Sequence, residues 1–150
     1  MSDGGFRKKK VLFVCIGNMI RSQMAEGFAR NEGSAFIEAF SAGVNPTGVV
    51  SEEAVAVMGE KGIDISGQYS KGLGDVPVTE MDYIVNMSGY DIQPLIPKVP
   101  PERIIDWRVE DPLGRSLVFF RETRDNLEPR INEFLRRLWS EDDAPGDRER

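Results

Sequence analysis

Short apolar segments alternate along this chain with longer segments of helical periodicity. Val11 to Val14 is a continuous apolar run, as expected for a strand that is buried on both faces of a sheet. From Ser22 the apolar residues instead recur every three or four positions until about Gly33, which predicts an amphipathic helix. The same reasoning predicts strands at 36–40, 82–87 and 103–107 and helices at 51–61 and 116–139, with Pro129 kinking the last helix or starting a second one. Alternating strands and helices are typical of an α/β fold with a parallel sheet.

The two chain ends differ in composition from the segment between them. Residues 1–10 are polar and rich in Gly and Lys, and residues 140–150 carry five acidic residues, two arginines and a Pro-Gly pair. We therefore expect a disordered N-terminal segment at 1–10, a single domain at 11–139 and an acidic flexible tail at 140–150.

Composition and charge exclude several classes of function. The 19 basic and 25 acidic residues give a net charge of −6, which argues against a nucleic-acid partner. No segment approaches the roughly 20 apolar residues that a membrane span requires. The absence of histidine excludes a Ser-His-Asp triad and histidine-dependent metal sites. No metal or cofactor is expected, because a reaction that proceeds through a cysteine nucleophile needs none. A lone cysteine suits a reducing compartment, and a cytoplasmic protein is predicted.

The segment with the clearest chemical signal is VLFVCIGNMIRSQMAE, residues 11–26. Cys15 ends the predicted strand, a tight loop follows, and Arg21 and Ser22 begin the helix. Backbone N–H groups converge in a loop of this kind, and the helix N-terminus adds positive partial charge, so the loop is predicted to bind a tetrahedral anion. Gly17 and Asn18 suit the unusual backbone angles of such a loop. The predicted phosphate-binding residues are Ile16, Gly17, Asn18, Met19, Ile20, Arg21 and Ser22.

Cys15 is the candidate nucleophile at the bottom of this loop. Converging N–H dipoles and the Arg21 guanidinium favour the thiolate over the thiol. Arg21 can bind two oxygens of a phosphoryl group and stabilise its charge during transfer. Ser22 is expected to cap the helix and to donate a hydrogen bond to the sulfur. The alternative is a buried structural cysteine, with Asn18 and Ser22 serving only as turn and cap residues.

A thiolate that attacks phosphorus also needs an acid to protonate the departing alcohol. Asp111 is the candidate, because it follows the fourth predicted strand and loops at the carboxyl ends of parallel strands gather over a ligand. Pro112 restricts the backbone of Asp111 to extended angles. Asp106 and Glu110 are alternative acids, and the alternative for Asp111 itself is a residue that only begins a turn.

The segment VCIGNMIRSQMAE resembles the phosphate-binding loop of the low-molecular-weight protein tyrosine phosphatases and their arsenate reductase relatives. Four further motifs follow in the order of that family, SAG at 41–43, GIDIS at 62–66, DYIVNM at 82–87 and EDPLG at 110–114. The resemblance implies a flavodoxin-like fold, with a four-stranded parallel sheet and helices on both faces. It also implies that Cys15 is the nucleophile, Arg21 the phosphate clamp and Asp111 the general acid.

The chain departs from both branches of this family. The stretch NMSGYDIQPLIP has no cysteine where thioredoxin-coupled arsenate reductases carry two resolving cysteines, so only an external small thiol can serve that role. On the phosphatase side, Ile20 replaces a second loop cysteine, and Leu113 and Gly114 replace the aromatic residues that usually wall a phosphotyrosine pocket. Tyr69 and Tyr90 are the remaining candidates for such a wall.

The leading prediction from the sequence is a phosphate-monoester hydrolase, similar to the protein tyrosine phosphatases, that acts through a cysteinyl-phosphate on Cys15. Its substrate would be a phosphorylated protein or a small phosphate monoester. The alternative is an arsenate reductase coupled to an external small thiol. A second alternative is a non-catalytic phosphate-binding or redox-sensing module.

Overall fold

One parallel sheet forms the centre of the computed structural model, which describes residues 7–141. Within those residues its order is β2-β1-β3-β4, and all three pairings are parallel. The strands are β1 (Lys9–Cys15), β2 (Ile37–Gly43), β3 (Tyr83–Asn86) and β4 (Ile104–Asp106). The predicted four-stranded α/β fold is confirmed.

The two faces of the sheet are covered differently. Successive strand residues point to opposite faces, so Val11 and Phe13 face one core and Leu12 and Val14 face another. The first core is shared with α1 (Arg21–Gly33), α2 (Glu52–Gly59) and α3 (Leu117–Glu141). Short 3-10 helices and their flanking loops cover the second face, at Leu73–Asp75, Val78–Glu80, Gln93–Leu95 and Pro101–Arg103.

Strand β1 begins at Lys9, two residues before its predicted start at Val11. Lys9 and Lys10 pair in register with Ile37 and Glu38, so backbone pairing with β2 extends the strand beyond its apolar run. Residues 1–6 and 142–150, which make up most of the two predicted disordered ends, lie outside the described residues.

Strand β2 also differs from its prediction, because it continues past residue 40 to Gly43. Ser41, Ala42 and Gly43 pair with the last three residues of β1. These small residues, which the hydrophobic pattern placed after the strand, bring β2 alongside the end of β1.

Helix α3 continues through Pro129 as one helix, so the prediction of a second helix is wrong. Leu127 and Ile131, on either side of this proline, are fully buried in the core. Their packing offsets the hydrogen bond that proline cannot make.

Among the helices of residues 7–141, none combines the length and the apolar character that a membrane span requires.

Candidate active site

The loop at 16–20 connects the carboxyl end of β1 to the first residue of α1, Arg21. Strand β1 is central, with β2 on one side and β3 on the other. The chain leaves β1 toward one neighbour and later returns to the other, which makes this end of β1 the switch point where α/β sheets bind ligands.

The carbonyl groups and the amide groups of this loop differ in their hydrogen bonding. The carbonyls of residues 15–20 all accept hydrogen bonds, from the backbone amides of Val44, Asn45, Thr47, Ser51 and Met24 and from the side chains of Gln23 and Ser70. Among the described residues, none of the backbone amides at 16–20 donates to a protein acceptor. A loop whose carbonyls are occupied and whose amides are available is suited to bind an anion.

Asn18 and two glycines give this loop its close packing. Asn18 has a φ of 49°, the one positive value at a non-glycine residue between 7 and 141. Gly17 was expected to share that conformation and does not. A Cβ at Gly17 would lie 2.9 Å from Thr47 Cγ2, so the Thr47 side chain packs closely against this residue. A Cβ at Gly43 would lie 2.7 Å from the Ile16 carbonyl oxygen, so β2 packs directly against the loop.

Cys15 is 2 % exposed, and its Sγ lies 2.9 Å from the Ser22 hydroxyl. The predicted contact between these two side chains is therefore present. The predicted helix cap is not, because Ser22 lies inside α1 and the N-cap residue, Ile20, makes no side-chain capping hydrogen bond. The Ser22 hydroxyl contacts Cys15 and Asn18 instead.

Arg21 is held in place mainly by backbone carbonyls. Its Nη1 donates to the oxygens of Met87 at 2.8 Å and Val109 at 3.1 Å, which lie in the loops that follow β3 and β4. Its Nη2 donates to Asp111 Oδ2 at 3.3 Å. The other carboxylate oxygen, Oδ1, accepts from the Leu113 amide at 3.1 Å. Asp111 therefore both begins a turn and pairs with Arg21.

Cys15, Arg21 and Asp111 share one cavity of about 140 Å³. Its other lining residues are Ile16, Gly17, Met19, Ile20, Asn45, Thr47 and Leu113. A volume of this size suits a small tetrahedral oxyanion, which would meet the loop amides, the Arg21 guanidinium and the Asp111 carboxylate together.

The alternative acids and the candidates for an aromatic wall lie outside the cavity that contains Cys15. Asp106 accepts a hydrogen bond from Asn86 at 2.9 Å, and neither it nor the exposed Glu110 lines the cavity that contains Cys15. Tyr69 is 68 % exposed and contacts Lys71, while Tyr90 lines a neighbouring cavity that also includes Arg21. No aromatic residue lines the Cys15 cavity in the described part of the chain.

Sequence reasoning missed a polar cluster that contacts the loop from outside this cavity. It consists of Gln23, Glu26, Ser41 and Lys71, whose side chains connect to Asn18 directly or through Ser41. Burial lowers the pKa of the Lys71 ammonium, while the Glu26 and Asp75 carboxylates oppose that shift. The SAG motif includes Ser41, but no sequence signal pointed to Lys71.

The chain is similar to known proteins over most of its length. A family model described as low molecular weight phosphotyrosine protein phosphatase matches residues 10–144. The glutaredoxin arsenate reductase of Synechocystis sp. is 38 % identical over 135 residues, which cover 87 % of this chain and 98 % of that protein.

Two solved structures are similar over an equal share of the chain. An arsenate reductase in its phosphate-binding state is 37 % identical, with a TM-score of 0.79, and the match covers 87 % of this chain and 98 % of the other. A low-molecular-weight protein tyrosine phosphatase from T. tengcongensis is 32 % identical, with a TM-score of 0.78 and coverage of 87 % and 100 %. The chain therefore belongs to the low-molecular-weight phosphotyrosine protein phosphatase family, whose chemistry is based on cysteine.

Proposed function

We propose that this protein is an arsenate reductase that depends on an external small thiol. The observation that carries the proposal is a single cysteine at an oxyanion-sized cavity. One sulfur can bind arsenic, but the reduction of arsenate to arsenite requires two electrons and therefore a second thiol. The sequence contains no other cysteine, so that thiol has to come from solution. The similarity to proteins named arsenate reductases supports this choice over the phosphatase that the sequence favoured.

In the first step, the Cys15 thiolate attacks arsenic and an As–O bond breaks. Asp111 can protonate the departing oxygen, which leaves as water, while Arg21 and the loop amides stabilise the remaining oxyanion. In the second step, the external thiolate attacks the Cys15 sulfur, and the electron pair of the S–As bond remains on arsenic, which leaves as arsenite. A second thiol then reduces the mixed disulfide. The sum is one arsenate and two thiols converted to arsenite, a disulfide and water. Such thiols belong to a reducing compartment, in keeping with the cytoplasmic location predicted from the sequence.

The second candidate function is phosphate-monoester hydrolysis through a cysteinyl-phosphate. The observation that favours it is the Asp111 side chain, which lines the same cavity as Cys15. As a carboxylic acid it could protonate an alcohol leaving group and become a carboxylate. The same carboxylate would then activate the water that cleaves the intermediate. Among the described residues no aromatic side chain lines this cavity, which favours small phosphate esters over a bound phosphotyrosine ring.

Arsenic speciation tests the proposal. The protein is incubated with arsenate and either glutathione or a mycothiol-type thiol, and arsenite and disulfide are both quantified. We expect thiol-dependent arsenite with two thiols consumed per arsenite, and none with Cys15→Ser, which keeps the size of the side chain but not its nucleophilicity.

Two other outcomes would contradict the proposal. If no thiol yields arsenite, while the wild type hydrolyses an aryl phosphate and Cys15→Ser does not, the protein is a phosphatase. If the protein binds phosphate in calorimetry and does neither reaction, it is the non-catalytic module considered from the sequence.

A further inference from the structure

A second cavity, of about 500 Å³, lies beside the cavity that contains Cys15. Arg21 lines both cavities, and the second one is otherwise formed by the ends of β3 and β4 and the loops that follow them. The carbonyls that hold Arg21, those of Met87 and Val109, belong to residues that line this second cavity. Its volume is in the range of small-molecule sites, so a second substrate has room next to the oxyanion.

Asn86, at the end of β3, connects the walls of the second cavity. It is 3 % exposed, and its Nδ2 donates to the Tyr90 carbonyl at 2.8 Å and to Asp106 Oδ1 at 2.9 Å. Its Oδ1 accepts from the Ser88 amide at 3.0 Å and from the Ser88 hydroxyl at 2.7 Å. One buried side chain thus joins the loop after β3 to the end of β4, so the cavity is formed before any ligand binds.

Two exposed side chains of opposite charge line the second cavity, and neither forms an ion pair with another described residue. Asp91 Oδ1 accepts a hydrogen bond from the Gln93 amide at 3.2 Å. The Arg108 carbonyl accepts from Arg130 at 2.8 Å, which fixes the backbone but gives the Arg108 guanidinium no carboxylate. The cavity's other carboxylate, Asp106, is held in the wall by its hydrogen bond. A ligand therefore meets a carboxylate and a guanidinium that are both available to it.

Available charges of both signs suit a ligand that is itself a zwitterion. An ammonium group donates to a carboxylate, and a carboxylate accepts two parallel hydrogen bonds from a guanidinium. We propose that the second cavity binds the external thiol of the proposed reaction, and that this thiol is a peptide of the glutathione type, with its ammonium at Asp91 and a carboxylate at Arg108. A mycothiol-type thiol carries sugar hydroxyls in place of these charges and makes neither contact.

The second cavity is close enough to Cys15 for such a peptide to reach the sulfur. Val109 lines the second cavity, and Asp111, two residues further along the chain, lines the Cys15 cavity. A step of two residues spans at most about 7 Å, whereas an extended peptide of three residues spans about 10 Å. A peptide held at Asp91 can therefore extend past Arg21 to Cys15. The reaction requires this reach, because the external thiolate attacks the Cys15 sulfur while arsenic is still bound to it.

Calorimetric titration with S-methylglutathione tests the site. The inference rests on the proposed function, but the methylated sulfur of this probe cannot react, so binding is measured apart from arsenate reduction. We expect the wild type to bind the probe. We also expect binding to persist in excess inorganic phosphate, which competes for the Cys15 cavity and not for the second one.

Substitutions of the two charged side chains locate the probe. Asp91→Asn and Arg108→Gln should each weaken its binding about tenfold, because each removes a hydrogen bond between charged groups. The matched controls are Asp64→Asn and Arg136→Gln, which remove the same charges outside the cavity and should bind the probe like the wild type. Asp64 also accepts from a backbone amide two residues further on, as Asp91 does. Asn at position 91 keeps an oxygen for that contact, so a folded protein is expected.

Acetylation of the probe identifies the partner of its ammonium group. N-acetyl-S-methylglutathione lacks this charge, so the wild type should bind it about tenfold more weakly than S-methylglutathione. If the ammonium contacts Asp91, Asp91→Asn should bind the acetylated probe as tightly as the wild type does, because both changes remove the same interaction. Losses that add would show that the ammonium lies elsewhere and would overturn the assignment.

Three further results would overturn the inference. They are no binding of S-methylglutathione to the wild type, its displacement by phosphate, and an affinity in Asp91→Asn and Arg108→Gln equal to that of the controls. Each of these can occur while glutathione still supports the formation of arsenite, and the proposed function would then stand. If the probe binds as expected but no thiol yields arsenite, the peptide site is supported and the proposed function is wrong.

Discussion

Two buried arginines of this protein are used in different ways. Arg21, which borders the Cys15 cavity, is 5 % exposed, and Arg124 on α3 is 8 % exposed. Arg124 is held by carboxylates, with Nη1 at 2.6 Å from Glu60 and Nε at 2.8 Å from Asp125. Arg21 is held by two neutral carbonyls and has one carboxylate contact, a longer one at 3.3 Å to the partly exposed Asp111.

The difference lies in how much positive charge remains uncompensated. Carbonyls orient a guanidinium without cancelling its net charge, whereas the two carboxylates on Arg124 neutralise it. Arg21 thus retains charge for an anion that enters beside Cys15. Arg124 ties α3 to α2, because it also donates to the Val57 carbonyl at 2.9 Å. Burial alone does not distinguish a binding arginine from a stabilising one, but the chemical nature of its partners does.

The comparison predicts opposite effects for one substitution at the two positions. Lysine keeps the charge but loses the planar set of donors. We expect Arg21→Lys to lower kcat/KM for arsenate by about 10³-fold, the upper end of what one lost transition-state donor costs, with a small change in Tm. Arg124→Lys should lower Tm and leave kcat/KM within about twofold, because no reacting atom contacts it. Equal losses of activity in both variants would show that the two arginines do not differ in this way.

Much of the fold follows from the chain's own periodicity. The apolar run before Cys15, the helical spacing after Arg21 and the later alternation predicted each strand and long helix. The hydrophobic pattern did not predict the bounds of an element where strand pairing or core packing determines them. Lys9 and Lys10 extend β1 because β2 lies beside them, and Pro129 remains inside a helix because Leu127 and Ile131 are buried on both sides of it.

The candidate site could be predicted from the sequence where its residues lie in one segment. Cys15, Arg21 and the loop between them occupy seven consecutive positions, and Asp111 was assigned from its place after a strand. The partners that orient these groups lie far away in the sequence. The Met87 carbonyl is 66 positions from Arg21, and Lys71 is 53 positions from Asn18. Contacts at such separations depend on the folded topology, which no local pattern specifies.

Asp111→Asn tests whether the carboxylate beside Arg21 acts as an acid. Removing a general acid lowers the reaction rate 10²- to 10⁴-fold. For Asp111→Asn we expect a rate about 10²-fold below that of the wild type, the lower end of this range, because Arg21 remains to stabilise the oxyanion. The loss should be larger for an aryl phosphate with a poor leaving group than for one with a good leaving group. Asp106→Asn and Glu110→Gln are the matched controls, and both should keep near-wild-type rates. A large loss in either control with an active Asp111→Asn would move the acid to that residue.

The smallest expected effect is a change in Tm when Glu60, a partner of Arg124, is replaced. It tests whether the carboxylates around Arg124 stabilise the fold. Hydrogen bonds from Arg121 and Arg124 lower the pKa of Glu60 from its ordinary 4.5 to about 2. A carboxyl group with a lowered pKa in the folded state stabilises the fold above its unfolded pKa, and the contribution disappears as the pH falls through the folded pKa. Glu60→Gln should therefore have a lower Tm than the wild type at pH 7, and the difference should shrink between pH 4.5 and about 2. Thermal unfolding followed by circular dichroism across this range measures it, with arsenate reduction at pH 7 unchanged as the control. A difference in Tm that stays constant down to pH 2 would mean that the charge of Glu60 contributes nothing to the stability of the fold. Arg124 would then be held by the Val57 carbonyl and Asp125 alone.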